Sequence, residues 1–520
     1  MVADKEIDDS SVSEVLDSLN RDTKREVNLV VRNQSESVFV SYVPKTTSFE
    51  HQIDGVFYGI NHHRFILGDQ PGLGKTKQII DLSMMIKSPG KKVLIICGVN
   101  GLKYNWVDEV DVHSFESGYI LGQRIVKGKK KIGFTKDKLY DIEHLSEIPD
   151  YFIITNMETL RLNGKKVGKR WVYPLAEALA KHCKSGLISL IAFDECHKAK
   201  NPNSHIGRAL LKLDADYLVA MSGTPQLNSP LDMYMPLHWL GYESHSYYSF
   251  TQYYCRMGGF GGKEIMGYRH LPELRKLVDS VMLRRLKKDV LDLPDKLESY
   301  EYVEMTPAQT KIYNEVKTHM LKDVDLIYRS LNPIAEFIRL RQATGYTGLL
   351  SSIVKESAKL DRMVELVEDC VGNNSKCIIF SNWEAMVYAA VGYLGRYEPA
   401  VITGSVSDGT RMDEVNRFQT DPNCKVILGT IGALGTGFTI TAANTVIFLD
   451  EPWNAAYKEQ AEDRAYRIGT SGTVNVITLI CKDTVDERVS DIVRGKAKVT
   501  VFVIDGKPMN NKSLVDFLLS

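Results

Sequence analysis

The 520-residue sequence predicts an α/β protein of two lobes, each built on a mostly parallel sheet, with helical insertions between them. Three observations carry this. Short β-branched apolar runs alternate with helical segments in two separate blocks. The first block opens with a strand, a glycine-rich turn and a helix. The stretch between the blocks, 226–350, is helical and aromatic instead. The length alone exceeds one compact core.

Hydrophobic content of 44% and charged content of 25% are those of a soluble globular chain. The 65 basic and 65 acidic residues cancel, so any nucleic-acid surface is a local stripe and not a global basic field. The 8 cysteines include no C-x-x-C pair, which argues against a zinc module or disulfide framework and fits a reducing compartment. No apolar run approaches a membrane span, and Met1–Asp9 lacks the basic-then-apolar pattern of a signal. The expected location is intracellular: the cytoplasm of a bacterium or virus-infected cell, or the nucleus of a eukaryote.

Residues 1–21 are polar and acidic, a frayed end or short helix. Residues 26–43 alternate apolar and polar side chains around Asn33–Ser37 and predict a β-hairpin. Phe65-Ile-Leu67 is a buried strand, and Lys77–Ile86 fits a helix. Between them lies Asp69-Gln-Pro-Gly-Leu-Gly-Lys-Thr76, a phosphate-binding loop with Asp69 where the first glycine of G-x4-G-K-[ST] would stand. Gly72 and Gly74 let N–H groups turn toward an anion, and the helix N-terminus adds its dipole. Lys75 would neutralise the β- and γ-phosphates of ATP, and the Thr76 hydroxyl would hold Mg²⁺. Upstream, the Gln52 amide can both donate to and accept from an adenine edge.

Lys92–Cys97 is the next buried strand, and Asn100–Trp106 follows at its C-terminal end, where ligands bind in open α/β sheets. Lys103, Asn105 and Trp106 could face a phosphodiester backbone there; equally, Trp106 could anchor the core. Gly122–Lys138 carries six lysines and reads as a solvated hairpin, with a peripheral DNA contact as the alternative. Tyr151–Asn156 and Leu187–Phe193 are further strands. The second delivers Asp194-Glu-Cys-His197. Asp194 would hold Mg²⁺ and Glu195 would polarise the attacking water. Tyr217–Met221 ends in Ser222-Gly-Thr-Pro225, a tight turn suited to sensing bound phosphate. Gly258–Gly262 interrupts the helical stretch, and Met282–Pro294 reads as a basic helix leading to a turn.

The second block comprises Lys376–Ser381, Ala400–Ser405, Cys424–Thr430, Thr445–Asp450 and Val474–Ile480. It has no phosphate loop. It does carry Gln460–Gly469, in which Arg464 and Arg467 fall on one helical face, as two arginine fingers directed at the first lobe's nucleotide would.

In this order, the phosphate loop, Asp194–His197, Ser222–Pro225, Leu283–Val290, Ile379–Trp383 and Gln460–Gly469 resemble the Snf2 family of superfamily 2 helicase-like ATPases, from about Phe49 to about Asp505. Gly267–Leu274 before the double arginine is similar to the compact annealing-helicase branch. The resemblance implies two RecA-like lobes with ATP and Mg²⁺ between them. The implied division is an N-terminal extension over 1–44, lobe 1 over 45–295, a helical connector over 296–350, lobe 2 over 351–505 and a tail over 506–520. It places Gln460 beside the nucleotide, and adds Thr155, Asn156, Thr403, Gly404 and Thr430 to Lys103 and Asn105 as DNA-tracking positions. Such contacts hold the backbone without reading bases.

Two segments depart from the family's pattern. Asp69-Gln-Pro replaces Asp-Glu-Met, and Thr430–Phe438 lacks the usual arginine and shifts the glycines. Little beyond a motor fits in the chain, so nucleosome remodelling is not expected. The implied activity is ATP-driven movement along duplex DNA, used on forked or branched DNA for annealing, fork regression or branch migration. A strand-separating DNA or RNA helicase, or an ATP-switched protein-displacing factor, are the alternatives.

Overall fold

A computed structural model describes residues 28–33, 36–126, 128–223, 229–258, 264–291, 295–322, 333–435, 438, 440–452, 455–467 and 472–494. The N-terminal stretch 1–21, Thr224 and Pro225, residues 259–262, Pro294, Thr436 and Gly437, Ile468 and Gly469, and the tail 506–520 lie outside these.

The described residues begin with the expected antiparallel hairpin, β1 (Asn28–Asn33) and β2 (Glu36–Ser41), with Asn28 opposite Ser41. The first lobe's sheet uses β3 (Arg64–Leu67), β4 (Lys92–Cys97), β5 (Gly118–Ile120), β8 (Phe152–Asn156), β11 (Ile188–Asp194), β12 (Tyr217–Met221) and β15 (Met282–Leu283). Three antiparallel hairpins stand apart from it: β6 (Gln123–Val126) with β7 (Lys129–Ile132), β9 (Lys165–Val167) with β10 (Arg170–Val172), and β13 (Cys255–Gly258) with β14 (Glu264–Tyr268). The sheet order is β15-β3-β12-β11-β4-β8-β5, and every pairing is parallel. The second sheet has the order β16-β21-β20-β17-β19-β18, again all parallel. Its strands are β16 (Lys296–Val303), β17 (Cys377–Ser381), β18 (Ala400–Ile402), β19 (Val426–Thr430), β20 (Thr445–Phe448) and β21 (Val474–Cys481).

Both sheets are covered on both faces, which is why their strands read as continuous apolar runs. In β11, Ile191 and Phe193 enter the core on one face, while Leu190 and Ala192 enter the core on the other. In β17, Ile378 and Phe380 oppose Cys377 and Ile379 in the same way. Each sheet therefore aims its strand ends, and the loops after them, at one edge.

Two segments differ from the sequence reading. The basic helix read into Met282–Pro294 is not found over its described residues, 282–291. Met282 and Leu283 pair with Ile66 and Leu67 beside the phosphate-loop strand, and the helix is a single turn, Lys287–Val290. The arginines between them are spent on the phosphate loop and not displayed on a helix face. Lys296–Val303, read as the start of a helical connector, is the edge strand of the second sheet along the whole of β21. Its Glu298, Glu301 and Lys296 give no apolar run because one side of an edge strand faces solvent. Helices do follow it, at Pro307–Lys322 and Pro333–Gly345.

Candidate active site

The phosphate loop leaves β3 at Leu67 and ends at the helix Lys75–Met85. Gly72 and Gly74 have φ of 88° and 74°, the left-handed region that a side chain resists. A Cβ on Gly72 would sit 2.9 Å from the Arg467 Cβ and 3.0 Å from the Lys287 Cε. The loop is thus approached from its outer side by cations of two different segments. Lys75 lies within it, its ammonium donating to the Asp69 carbonyl at 2.8 Å. Enclosure lowers the Lys75 pKa, against the opposing charges of Glu195, Asp69 and Asp194. Thr76 is half-buried at the helix N-terminus.

Asp69 holds the loop to the rest of the lobe. Its carboxylate is fully buried and accepts from the Arg285 backbone N–H and Nε at 3.0 Å each, from Arg285 Nη2 at 2.5 Å and from Gln78 Nε2 at 3.0 Å. Arg285 also donates to the His51 carbonyl and, at 2.8 Å, to Gln78 Oε1. Arg284 donates to the Gly68 carbonyl at 2.6 Å. Gln52 is buried, with its amide used twice: Oε1 accepts from Phe49 N at 3.1 Å and Nε2 donates to the Leu73 carbonyl at 3.3 Å. In this arrangement Gln52 braces the phosphate loop from the helix Glu50–His62.

β11 ends in Asp194, and Glu195 follows in a left-handed conformation at φ 53°, uncommon for a residue with a side chain. The turn is held from behind by Gly98: a Cβ there would lie 2.7 Å and 2.8 Å from the carbonyls of Glu195 and Asp194. Asp194 accepts from Trp106 Nε1 at 2.9 Å and from Glu195 N at 2.9 Å. Trp106 is fully buried in the core, the second of the two places that sequence allowed it, and from there its indole N–H also fixes the acidic pair. Glu195 lies 3.2 Å from His197, whose Nδ1 is also 2.9 Å from the Ser222 hydroxyl. That contact ties the acidic tetrapeptide to the Ser222 turn. Burial pushes the Asp194 carboxyl up, with Glu195 adding to it. Burial acts on Glu195 in the same direction, but His197, Lys75 and Arg464 outweigh it and hold Glu195 well below the usual range.

The second lobe completes the site. Gln460, on the helix Ala455–Glu462, donates to Glu195 Oε1 at 3.0 Å. Gln70 of the phosphate loop donates to Glu459, and Lys287 donates to Asp463 and to the Tyr466 carbonyl. A cleft of about 220 Å³ remains between the lobes, lined by Gln70, Lys287, Glu459, Asp463 and Tyr466 among others. Arg464 and Arg467 do not share a helix face: the helix ends at Glu462, and both lie in the turn after it. They still reach the first lobe. Arg464 is buried, donates to the Gln460 and Phe438 carbonyls at 3.0 and 2.9 Å, and adds its charge to the Asp194–Glu195 pair. Arg467 packs against Gly72.

The positions expected on DNA do follow strand ends, but several are turned inward. Lys103, Thr155, Asn156 and Thr403 are buried. Asn156 donates to Asn100 and Glu158 and accepts from Thr159. Thr403 is held among Tyr388, Glu384 and Ser405. Asn105 and Thr430 are half-buried and Gly404 is exposed. Arg285 and Lys287, together with the Trp106 bond to Asp194, are the parts of the site that sequence reasoning passed over; the partners of Arg285 lie up to 234 residues away.

Among the described residues no cluster of three or more metal-binding side chains exists, and no helix is long and apolar enough to cross a membrane. Comparison with known proteins matches residues 23–353 to the SNF2-related domain and residues 358–469 to the helicase conserved C-terminal domain. The chain is similar to the human DNA annealing helicase and endonuclease ZRANB3, 26% identical over 498 residues, covering 92% of this chain and 42% of that protein. An uncharacterized ATP-dependent helicase of Mycoplasma pneumoniae is 26% identical, covering 90% of this chain and 44% of that protein. The putative ATP-dependent helicase/translocase YwqA of Bacillus subtilis is 26% identical, covering 86% and 48%. The chain thus spans less than half the length of these three relatives. Among solved structures, the Sulfolobus solfataricus SWI2/SNF2 ATPase core in complex with dsDNA aligns over 92% of this chain and 98% of that one, at 24% identity and a TM-score of 0.39.

Proposed function

Because this chain belongs to the SNF2 family of helicase-like ATPases, we propose that it hydrolyses ATP between its two lobes and uses the cycle to move along double-stranded DNA, remodelling forked or branched junctions. The observation that carries the reading is the contact across the lobes at 3.0 Å, Gln460 on Glu195. It puts the second lobe's arginine turn over the first lobe's phosphate loop and acidic pair.

The residues divide the chemistry as follows. The Gly72–Gly74 turn and Lys75 hold the β- and γ-phosphates. Glu195 is ionised at neutral pH by its surroundings and so can accept a hydrogen bond from the attacking water. Arg464 and Arg467 meet the charge that develops on the transferred phosphoryl group. One carboxylate and one hydroxyl, Asp194 and Thr76, are hard oxygen donors that suit Mg²⁺, which keeps several waters and binds phosphate oxygens; bound there it would neutralise the phosphates. Closing of the lobes assembles the arginines, and opening removes them, so each turnover alternates the grip of the two lobes. Backbone contacts from loops at the strand ends would provide that grip, with Gly404, Asn105 and Thr430 the accessible candidates. The annealing activity named for the human relative favours junctions over blunt duplex as the working substrate.

ATP turnover measured with blunt duplex, forked DNA, single strand and RNA tests this directly. Duplex and fork are expected to stimulate strongly. Lys75→Ala and Glu195→Gln should each lower turnover by about a hundredfold or more while circular dichroism stays unchanged. Stimulation by RNA or single strand alone would replace the duplex motor with a strand-separating helicase. Turnover indifferent to every nucleic acid would refute the reading.

A further inference from the structure

Away from the cleft, the first lobe has a cavity of about 470 Å³ between the β9–β10 hairpin and the helix His205–Leu210. Five cations line it: Lys166, Lys169 and Arg170 from the hairpin, and Arg208 and Lys212 from or just after the helix. Among the described residues one carboxylate serves this group. Glu177 lies 2.7 Å from Lys212 and 3.7 Å from Arg170. No ion pair to Lys166 or Lys169 is found among the described residues, and both are exposed. Like charges gathered this closely repel one another, so the cavity is suited to an anion that cancels them.

Its wall is aromatic as well as cationic. Trp171, at the centre of β10, is half-buried. Its ring meets His205 edge-on at 4.4 Å and lies nearly parallel to Tyr173 at 6.2 Å. Tyr173 is fully buried and bonded to His205 at 3.0 Å, so the indole stands on a rigid support. A fixed, partly open indole ringed by lysine and arginine is the combination that binds unpaired nucleotides: the base stacks and the phosphates on either side meet the cations. A base inside a duplex has no free face to offer. The helix Met157–Leu160, which continues from β8 and Asn156, packs on the helix His205–Leu210, so the cavity adjoins the strand-end edge of the sheet.

We propose that this cavity captures an unpaired nucleotide of a single DNA strand, such as the strand exposed at a junction, by stacking on Trp171 between phosphates held by Lys166, Lys169, Arg170, Arg208 and Lys212. This deepens the DNA reading above and rests on it for the strand's role, while the binding itself is tested separately.

The test uses the full chain and a fluorescein-labelled oligothymidylate of about 12 nucleotides, read by anisotropy across a salt series. Lys166→Ala with Lys169→Ala should weaken binding about tenfold and flatten the log–log salt slope by about 1.4, the loss of two phosphate contacts on a single strand. Trp171→Ala should weaken it about tenfold at constant slope, and Trp171→Phe should restore most of the loss because a ring remains to stack on. Affinity for blunt duplex and duplex-stimulated turnover should be unchanged in all of them. Equal losses for duplex and single strand would overturn the proposal by making the cavity part of a duplex track. So would unchanged oligonucleotide affinity in the lysine pair and in Trp171→Ala. If the wild-type chain binds the oligonucleotide through this cavity and duplex fails to stimulate turnover, the translocase reading falls and the site stands.

Discussion

Arg285→Ala probes how the phosphate loop is held. Asp69 is fully buried, and three of its four hydrogen bonds come from Arg285, two of them from the guanidinium. The substitution removes both guanidinium donors and leaves the Arg285 backbone N–H and Gln78. Removing one partner of a buried ion pair strands the other charge, at a cost of about 3–5 kcal/mol. The Arg285 side chain keeps 13% of its accessibility, which argues for the lower end. With an m-value of about 3 kcal/mol/M in urea, 3 kcal/mol moves the unfolding midpoint of the lobe down by roughly 1 M. Because two lobes need not unfold together, the readout is hydrogen exchange in the helix Lys75–Met85 across a urea series, which reports on the first lobe alone. The double variant Asp69→Ala/Arg285→Ala removes both charges, so it should cost clearly less than the sum of the two single changes. Additive losses, or a midpoint unmoved by Arg285→Ala, would show that the pair does not anchor the loop.

Gly98→Ala should damage both stability and turnover, since its Cβ would meet two backbone carbonyls of the acidic turn below 3.0 Å; thermal unfolding and ATPase assays should move together, and an active, stable variant would mean that the turn is not constrained there. Trp106→Phe keeps an aromatic ring, though a smaller one, and leaves a buried oxygen of Asp194 without its donor. It should cost about 1–3 kcal/mol and lower turnover, with the affinity for metal-free nucleotide nearly retained in a fluorescent-nucleotide titration. Glu462 supplies a pH test. Burial raises its pKa from 4.5 to about 7, with Lys296 pulling it back. The folded state therefore holds a proton that the unfolded state has lost between those values. The stability it contributes is full below pH 4.5 and disappears as pH rises through about 7. Lobe 2 should lose about 3 kcal/mol across that window, and Glu462→Gln should flatten the dependence; an unchanged urea midpoint between pH 5 and 8 in both proteins would contradict the assignment.

What could be read from sequence depended on how near a residue's partners lie along the chain. β4, β11 and β17 are legible because burial on both faces leaves uninterrupted apolar runs. The phosphate loop and the Asp194–Glu195 pair are legible because their chemistry is contiguous. β16 is not, since an exposed edge can carry glutamates and lysine without an apolar period. Arg285 reads as surface charge until Asp69, 216 positions earlier, is seen to need it. Arg464 and Arg467 were legible as a pair from their spacing, but the helix implied by that spacing stops at Glu462. The chain turns there, with Arg464 bonded to the Gln460 and Phe438 carbonyls, and the local period carries no trace of that. The burial of Trp106 was foreseeable, but its one polar atom, carried on the helix Leu102–His113, finds its acceptor at the end of β11, and nothing local marks that bond.

The short strand β15 has a further consequence. It brings the chain back alongside the phosphate-loop strand immediately before the chain leaves for the second sheet, where β16 starts eleven residues beyond Arg285. A stretch of that length reaches at most about 40 Å, so it acts as a leash fixed to the nucleotide-binding loop itself. The two halves of the site therefore meet as an intramolecular event, at an effective concentration in the millimolar range or above. Dilution cannot separate them, and the rate at which the arginine turn finds the loop is set by the leash and by whatever the lobes are holding, independent of how much protein is present.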